Sequence, residues 1–289
     1  MADKFTSVWV SHTSIQDFIK CPRSYYLKNV YRDPKTNHKI KLMSPPLALG
    51  QSVHEVLESL SQLPAAGRFT EPLMNLLDEA WKKVSGKKGG FLDEESEYKY
   101  KKRAQEMLRR VWNHPGPISG LAVKIQADLP HCWLSEEENI ILCGKVDWLE
   151  YLKDTDSVHI IDFKTGKNEE DPDSLQLPIY LILVTLCQKR KVTKASYWYL
   201  DASDDLIEKP LPDLETAKQM VLQIAKEIKL ARQINRFKCK EGEDGCMCCR
   251  PYESIIKRQA EYVGTDEYNA DVYILEQSRN LMELETVIH

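Results

Sequence analysis

Apolar residues recur at helical spacing through most of the first 112 positions and, from about position 121, at the shorter spacing of strands. Ile15, Phe18, Ile19, Tyr25, Tyr26 and Leu27 predict helix over residues 13–28, broken at Cys21-Pro22 because proline lacks the amide that a helix interior needs. Val53, Val56, Leu57 and Leu60 predict a second helix over residues 49–60. Two more follow over 71–84 and 94–112, separated by a Gly- and Lys-rich turn at 86–90, and the run Asn113-His114-Pro115-Gly116-Pro117 ends the helical half. Beyond it, residues 121–128, 140–152 and 157–164 read as strands, the last two joined by the polar turn 153–156. Helices are expected over 174–187 and 214–233, with a strand at 196–200 between them. A cysteine-rich stretch from Cys239 to Cys249 and a charged tail close the sequence. This order of elements predicts an α/β fold, with helices flanking a small mixed sheet.

With 289 residues, 42% of them apolar, the chain can bury a sizeable core as one elaborated domain. No apolar run reaches the length of a bilayer span and the first ten residues lack the layout of a secretory signal, so the expected location is the cytosol and no membrane partner is expected. There, eight cysteines point to metal binding, redox chemistry or plain burial rather than to disulfides. The net charge of −4 supplies no global positive field, so any nucleic-acid contact must be local. One candidate is the run Lys99, Lys101, Lys102, Arg103, Arg109 and Arg110, which reads equally well as a solvated helix face.

The sharpest chemical signal is Ile160-Ile161-Asp162-Phe163-Lys164-Thr165-Gly166, an apolar strand ending in an acid, one spacer and a lysine. Alternation along a strand sends Asp162 and Lys164 to the same face. If the preceding strand pairs with this one about a turn centred between Asp154 and Thr155, Asp147 falls opposite Asp162. Opposed Cβ atoms lie roughly 4.5–5.5 Å apart, close enough for two carboxylates to share a hard cation. His54 on the second helix can add a nitrogen ligand, and mixed nitrogen and oxygen ligation suits Mn²⁺ as well as Mg²⁺. Gln176 and Tyr180, four residues apart, share a helix face and can contact a base or a phosphate. The loop Cys239-x6-Cys246-x-Cys248-Cys249 is too polar to be core filling, whereas Cys132, Cys143 and Cys187 sit in apolar surroundings as ordinary buried thiols.

These pieces occur in the order found in RecB-like members of the PD-(D/E)XK nucleases, which include the AddB nuclease domain and CRISPR-associated exonucleases. The chain resembles them over residues 14–26, 50–58, Gly144-Lys145-Val146-Asp147, 161–166 and Gln176-Leu177-Pro178-Ile179-Tyr180, and the cysteine segment extends the match to Tyr252. The resemblance implies a restriction-endonuclease-like core. It implies His54, Asp147, Asp162 and the Phe163 carbonyl as ligands of Mg²⁺ or Mn²⁺, Lys164 as the catalytic lysine beside Asp147 and Asp162, and Gln176 and Tyr180 as DNA contacts. Asp162 stands where many relatives carry Glu. Relatives with a cluster take one cysteine from the N-terminal Cys-Pro-Arg segment, which here assigns Cys21, Cys239, Cys246 and Cys249 to a four-iron four-sulfur cluster, with Cys248 able to replace Cys249 and Zn²⁺ as the alternative occupant.

The domain layout expected is one nuclease domain over 1–265, made of a helical part (1–115), a catalytic core (118–235) and a cysteine segment (236–265), followed by a tail over 266–289. The expected activity is metal-dependent DNA exonuclease, on single strands or duplex ends, in recombination, repair or replication. No phosphate-binding loop of the helicase kind occurs, so a helicase or recombination partner would be a separate chain. Two rivals belong to other classes. A non-catalytic DNA-binding or assembly subunit would use the cysteine segment as a clamp, and a small-molecule metalloenzyme would need a further catalytic motif.

Overall fold

The computed structural model describes residues 3–125 and 127–275. At its centre is a four-stranded sheet of β5 (Trp148–Leu152), β6 (Ser157–Lys164), β7 (Lys191–Tyr199) and β8 (Ile207–Lys209), in that order. β6 runs antiparallel to β5 and parallel to β7. β6 reads Ser-Val-His-Ile-Ile-Asp-Phe-Lys and is buried along almost its whole length, as a strand covered on both faces must be. Val158 and Ile160 face one apolar core and Ile161 and Phe163 face another, so the sheet divides the molecule into two packed halves.

The first half holds α1 (His12–Lys20), α6 (Gln176–Cys187) and α7 (Leu214–Gln233). α6 carries apolar side chains all round, and it is buried nearly throughout. The second half holds α3 (Pro45–Leu60), α4 (Leu73–Trp81) and α5 (Glu94–Asn113). α3 opens on a Pro-Pro pair at the positions where a missing amide costs nothing. Its inner face carries Leu49, Val53, Val56, Leu57 and Leu60, leaving Gln51, His54, Glu55 and Glu58 on the opposite face. This architecture agrees with the α/β class and the flanking helices expected from the sequence.

Two smaller sheets accompany the central one, where the sequence predicts a single sheet. One has the order β1 (Val8–Val10), β4 (Ile140–Cys143), β3 (His131–Ser135), and the other β2 (Lys39–Leu42), β10 (Ala270–Ile274), β9 (Glu261–Thr265). The segment read as one strand over 140–152 is therefore two, β4 and β5, in different sheets, because Gly144-Lys145-Val146-Asp147 turns the chain between them. Residues 121–128 form only an isolated bridge, Ala122 with Glu150. Residues 270–274, expected within the tail, pair in parallel with β2, so the tail boundary at 266 falls inside a sheet; residues 276–289 of that tail lie outside the described residues. The helical part is likewise not separate from the core, since β1 pairs with β4.

Cys21 separates α1 from the short α2 (Pro22–Tyr25), and α8 (Arg250–Ile256) follows the cysteine loop. Among the described residues, no helix is long and apolar enough to cross a membrane.

Candidate active site and cysteine centre

The pairing of β5 with β6 sets Trp148 opposite Ile161 and Leu152 opposite Ser157. Continued by one residue, that register puts Asp147 opposite Asp162, as counted from the turn. The turn itself closes through Asp156, which takes a left-handed φ of 45°. Asp147 Oδ2 accepts the Phe163 amide at 2.9 Å, and His54 Nδ1 lies 3.3 Å from Asp147 Oδ1. The His54 ring packs edge-on against Phe163, with centroids 6.4 Å apart. At the far side of β6 the Lys164 carbonyl accepts from Leu200 N. Alternation then turns the Phe163 carbonyl toward Asp147.

Why α3 can deliver His54 here is visible one turn earlier. A Cβ on Gly50 would stand 3.2 Å from Thr165 Oγ1, so glycine lets the loop after β6 pass close against the helix.

Asp162 is 2% exposed. Its Oδ1 accepts from Gln176 Nε2 at 2.8 Å, while Oδ2 has no aligned hydrogen-bond donor and faces Lys164 Nζ at 3.1 Å. Burial, and then the charge of Asp147, push the Asp162 carboxyl up to about 7. Burial acts on Asp147 in the same direction, but His54 and the Phe163 amide outweigh it and hold that carboxyl below its ordinary range. His54 in turn is raised, Asp147 overcoming the effect of burial. Two carboxylates with one orphaned oxygen and an imidazole beside them make a donor set that a hard divalent cation fits.

Because its folded-state pKa lies above the value of about 3.9 in an unfolded chain, Asp162 makes the metal-free fold lose stability as pH rises from about 4 to about 7. Asp162→Asn is expected to raise the melting temperature of the metal-free protein at pH 8 and to leave it nearly unchanged at pH 4. Equal melting of the two proteins at pH 8 would show that Asp162 ionises there without penalty.

Lys164 is surrounded by acceptors. Its ammonium pairs with Asp162 Oδ2 and with Glu170 Oε2 at 2.6 Å, donates to Gln176 Oε1, and lies 4.9 Å from the centre of the Tyr197 ring. Burial alone would lower its pKa, but Asp162 and Glu170 outweigh burial and keep it charged. Glu170 was not foreseen, because it lies in the polar loop after β6 with no pattern to mark it. Its amide donates to Tyr199 Oη at 3.0 Å, which fixes the loop to β7. His12, also unforeseen, lies within electrostatic reach of Glu170 and Lys164, and burial lowers its pKa to about 4.

Gln176 and Tyr180 do share a face of α6, but they are 7% and 8% exposed and turn inward. Gln176 Nε2 donates to Asp162 and, at 3.2 Å, to Tyr180 Oη. As placed, Gln176 links the acid to the lysine and Tyr180 contacts Gln176. The basic run on α5 is largely ion-paired. Lys99, Lys101, Arg103 and Arg110 pair with Glu95, Asp78, Asp201 and Asp204, which favours the solvated-face reading.

Across β5, β6 and β7, Glu150, His159 and Ser196 are linked by hydrogen bonds of 2.8 Å in the order of a hydrolytic triad. Ser196 is only 1% exposed, so no substrate can reach its hydroxyl and the ladder is structural.

The second centre lies where the two ends of the described chain meet. The sulfur atoms of Cys21, Cys239, Cys246 and Cys249 all lie within 4.8 Å of one another, and all four residues are buried. Cys248 lies beside this group but outside it and is half-buried, as are Cys132 and Cys187, while Cys143 is buried. Backbone amides donate to two of the sulfurs, Ser24 N to Cys21 and Cys246 N to Cys249. Gly245, with φ of 73°, closes the loop where a Cβ would stand 2.9 Å from the Cys249 sulfur. Arg23 pairs with Glu253, and Ser24 Oγ donates to the Cys248 carbonyl at 3.0 Å. Four convergent thiols with no other ligand type form a donor set that could hold a metal ion.

Residues 9–255 match the family described as the PD-(D/E)XK nuclease superfamily, a span that takes in both centres. No curated protein matches the chain.

Proposed function

The chain belongs to the PD-(D/E)XK nuclease superfamily, and on that premise we propose that it is a metal-dependent DNA exonuclease of the RecB-like branch. The observation that carries this reading is the meeting of Asp147, Asp162 and Lys164 at one end of β6, with His54 brought to them by α3. His54, Asp147, Asp162 and the Phe163 carbonyl would hold one or two divalent cations, Mg²⁺ or Mn²⁺. When bound, such ions polarise a phosphate and make a bound water more acidic.

The protein's own groups account for the rest. Lys164 is paired with two carboxylates, Asp162 and Glu170, and donates to Gln176, so it enters the reaction as an ammonium. A charged amine cannot take a proton. Its role is to offset negative charge that builds on the phosphate and to orient the attacking water. Gln176 holds Asp162 and Lys164 at a fixed spacing, and Tyr180 braces Gln176. Asp147 keeps His54 oriented through Nδ1.

For the cysteine centre, all-thiolate ligation and amide donors to sulfur support a four-iron four-sulfur cluster on Cys21, Cys239, Cys246 and Cys249. Such a cluster would staple the start of α2 to the loop before α8. The pathway served is DNA recombination, repair or replication, with any helicase or recombination protein supplied as a separate partner.

The reading is tested with end-labelled single- and double-stranded DNA, anaerobically purified protein and Mg²⁺, Mn²⁺ or EDTA, with Asp162→Ala as the blank. Shortening that needs the divalent ion and is lost in the variant is the expected result. Tight DNA binding without any cleavage would instead make the chain a non-catalytic DNA-binding subunit.

A further inference from the structure

A cleft of about 970 Å³ runs from His54 along the polar face of α3 and is roofed by the β9–β10 hairpin. The hairpin's turn is fixed from within. Asp266 Oδ1 accepts from Tyr268 N at 3.0 Å and from Ala270 N at 2.9 Å, and Asn269 takes a left-handed φ of 57°. Lys41 ties the turn to β2 by pairing with Asp266 at 3.2 Å. The turn so fixed presents Tyr268, 75% exposed, as part of the cleft lining. Lys83 and Lys145, on the opposite walls, lie within electrostatic reach of its phenol.

The cleft is not a phosphate trough. Lys41, Lys83 and Lys145 are paired with Asp266, Glu55 and Glu58, and Lys88 is the one cleft lysine without an ion pair among the described residues, so little bare positive charge faces a nucleic-acid backbone. What the cleft offers instead is an aromatic face on a rigid turn, at the mouth of a passage whose inner wall is His54.

We propose that Tyr268 is a stacking platform for an unpaired base of a DNA strand that lies in this cleft with its backbone leading to the Asp147–Asp162 pair. This rests on the nuclease reading above. Inside a duplex both faces of a base are covered by its neighbours, so a side chain can stack only on a single strand or a frayed end. Tyr268 thereby sets a preference for unpaired substrate, and it does so without touching the reacting atoms. With few free lysines, binding should also depend weakly on salt.

The test is steady-state cleavage of an end-labelled thymidine oligonucleotide and of an end-labelled blunt duplex with G·C-rich ends, with wild type, Tyr268→Ala and Tyr268→Trp. Loss of one stacked base, about 1–3 kcal/mol, corresponds to a rise in single-strand KM on the order of tenfold or more. Tyr268→Ala is expected to show that rise with kcat within about twofold of wild type, Tyr268→Trp to keep the wild-type KM, and the blunt duplex to depend far less on residue 268. An unchanged KM in Tyr268→Ala, or a fall in kcat in its place, overturns the proposal. Absence of cleavage by the wild type would be a failure of the nuclease reading, and fluorescence anisotropy with the same oligonucleotide would then decide for residue 268. Weaker binding in the alanine variant alone sustains the platform, and equal binding by all three proteins overturns it.

Discussion

Lys164→Ala is expected to slow DNA hydrolysis at saturating DNA on the order of 10³-fold, the scale of removing one group aimed at charge that develops in a transition state. The affinity for Mn²⁺ should change little, because Lys164 is not among the groups that would hold the ion and its removal relieves a repulsion. Glu170→Gln leaves the ammonium its Asp162 and Gln176 acceptors and should cost far less. A single hydrogen bond to a charged group, worth about 1.5–3 kcal/mol, sets a loss of roughly ten- to a hundredfold. Single-turnover cleavage of end-labelled DNA separates these cases from changes in binding. A Lys164→Ala protein that cleaves at the wild-type rate would remove the lysine from the chemistry.

The largest effect on stability belongs to the cysteine centre. Cys249→Ser should release the bound metal and lower the melting temperature by roughly 10 °C or more, since a structural four-thiolate site contributes about 10–16 kcal/mol in small metal-folded domains and each kcal/mol is worth about 2–4 °C in a chain of this size. The sulfur lies at the meeting of α1, α2 and the loop 239–249, which are joined otherwise by Arg23 with Glu253 and the Glu243 carbonyl, Ser24 with the Cys248 carbonyl and Lys240 with the Ile19 carbonyl. Cys248→Ser, at a half-buried position outside the group of four, should keep both metal and stability. Metal analysis of the same preparations assigns the occupant. Iron with matching acid-labile sulfide supports the cluster, and one zinc per chain would replace it. Equal melting of Cys249→Ser and Cys248→Ser would contradict a structural role for the group of four.

The sequence shows the long elements because their signals are local. β6 and α7 have the bounds expected from their patterns, 157–164 and 214–233, and the count from the turn at 154–155 places Asp147 opposite Asp162. Pro22, directly after Cys21, marks the break between α1 and α2 equally well. Short strands are different. β2 covers four residues and β10 five, and they pair across more than 200 positions, so neither carries enough periodicity to be seen alone. The apolar run 140–152 conceals its division between two sheets, since Gly144 and Lys145 are compatible with a continuous strand.

Functional groups follow the same rule. Asp162 and Lys164 are legible because alternation fixes their common face, and Gln176 with Tyr180 because helical spacing fixes theirs. Spacing cannot show that the latter pair turns inward, which depends on α6 packing against the sheet. Glu170 and Tyr268 lie in a polar loop and a hairpin turn, where side-chain direction is set by tertiary hydrogen bonds such as those of Tyr199 and Asp266. No periodic pattern records those.

On the proposed function, Asp147 and Asp162, set opposite each other by the β5–β6 register, hold a divalent cation. Binding of Mn²⁺ to wild type, Asp147→Ala and Asp162→Ala, followed by electron paramagnetic resonance of the free ion, tests it independently of activity. The account predicts saturable uptake by the wild type that is lost or strongly weakened in each variant while the fold is kept. Undiminished Mn²⁺ uptake by both variants would contradict it.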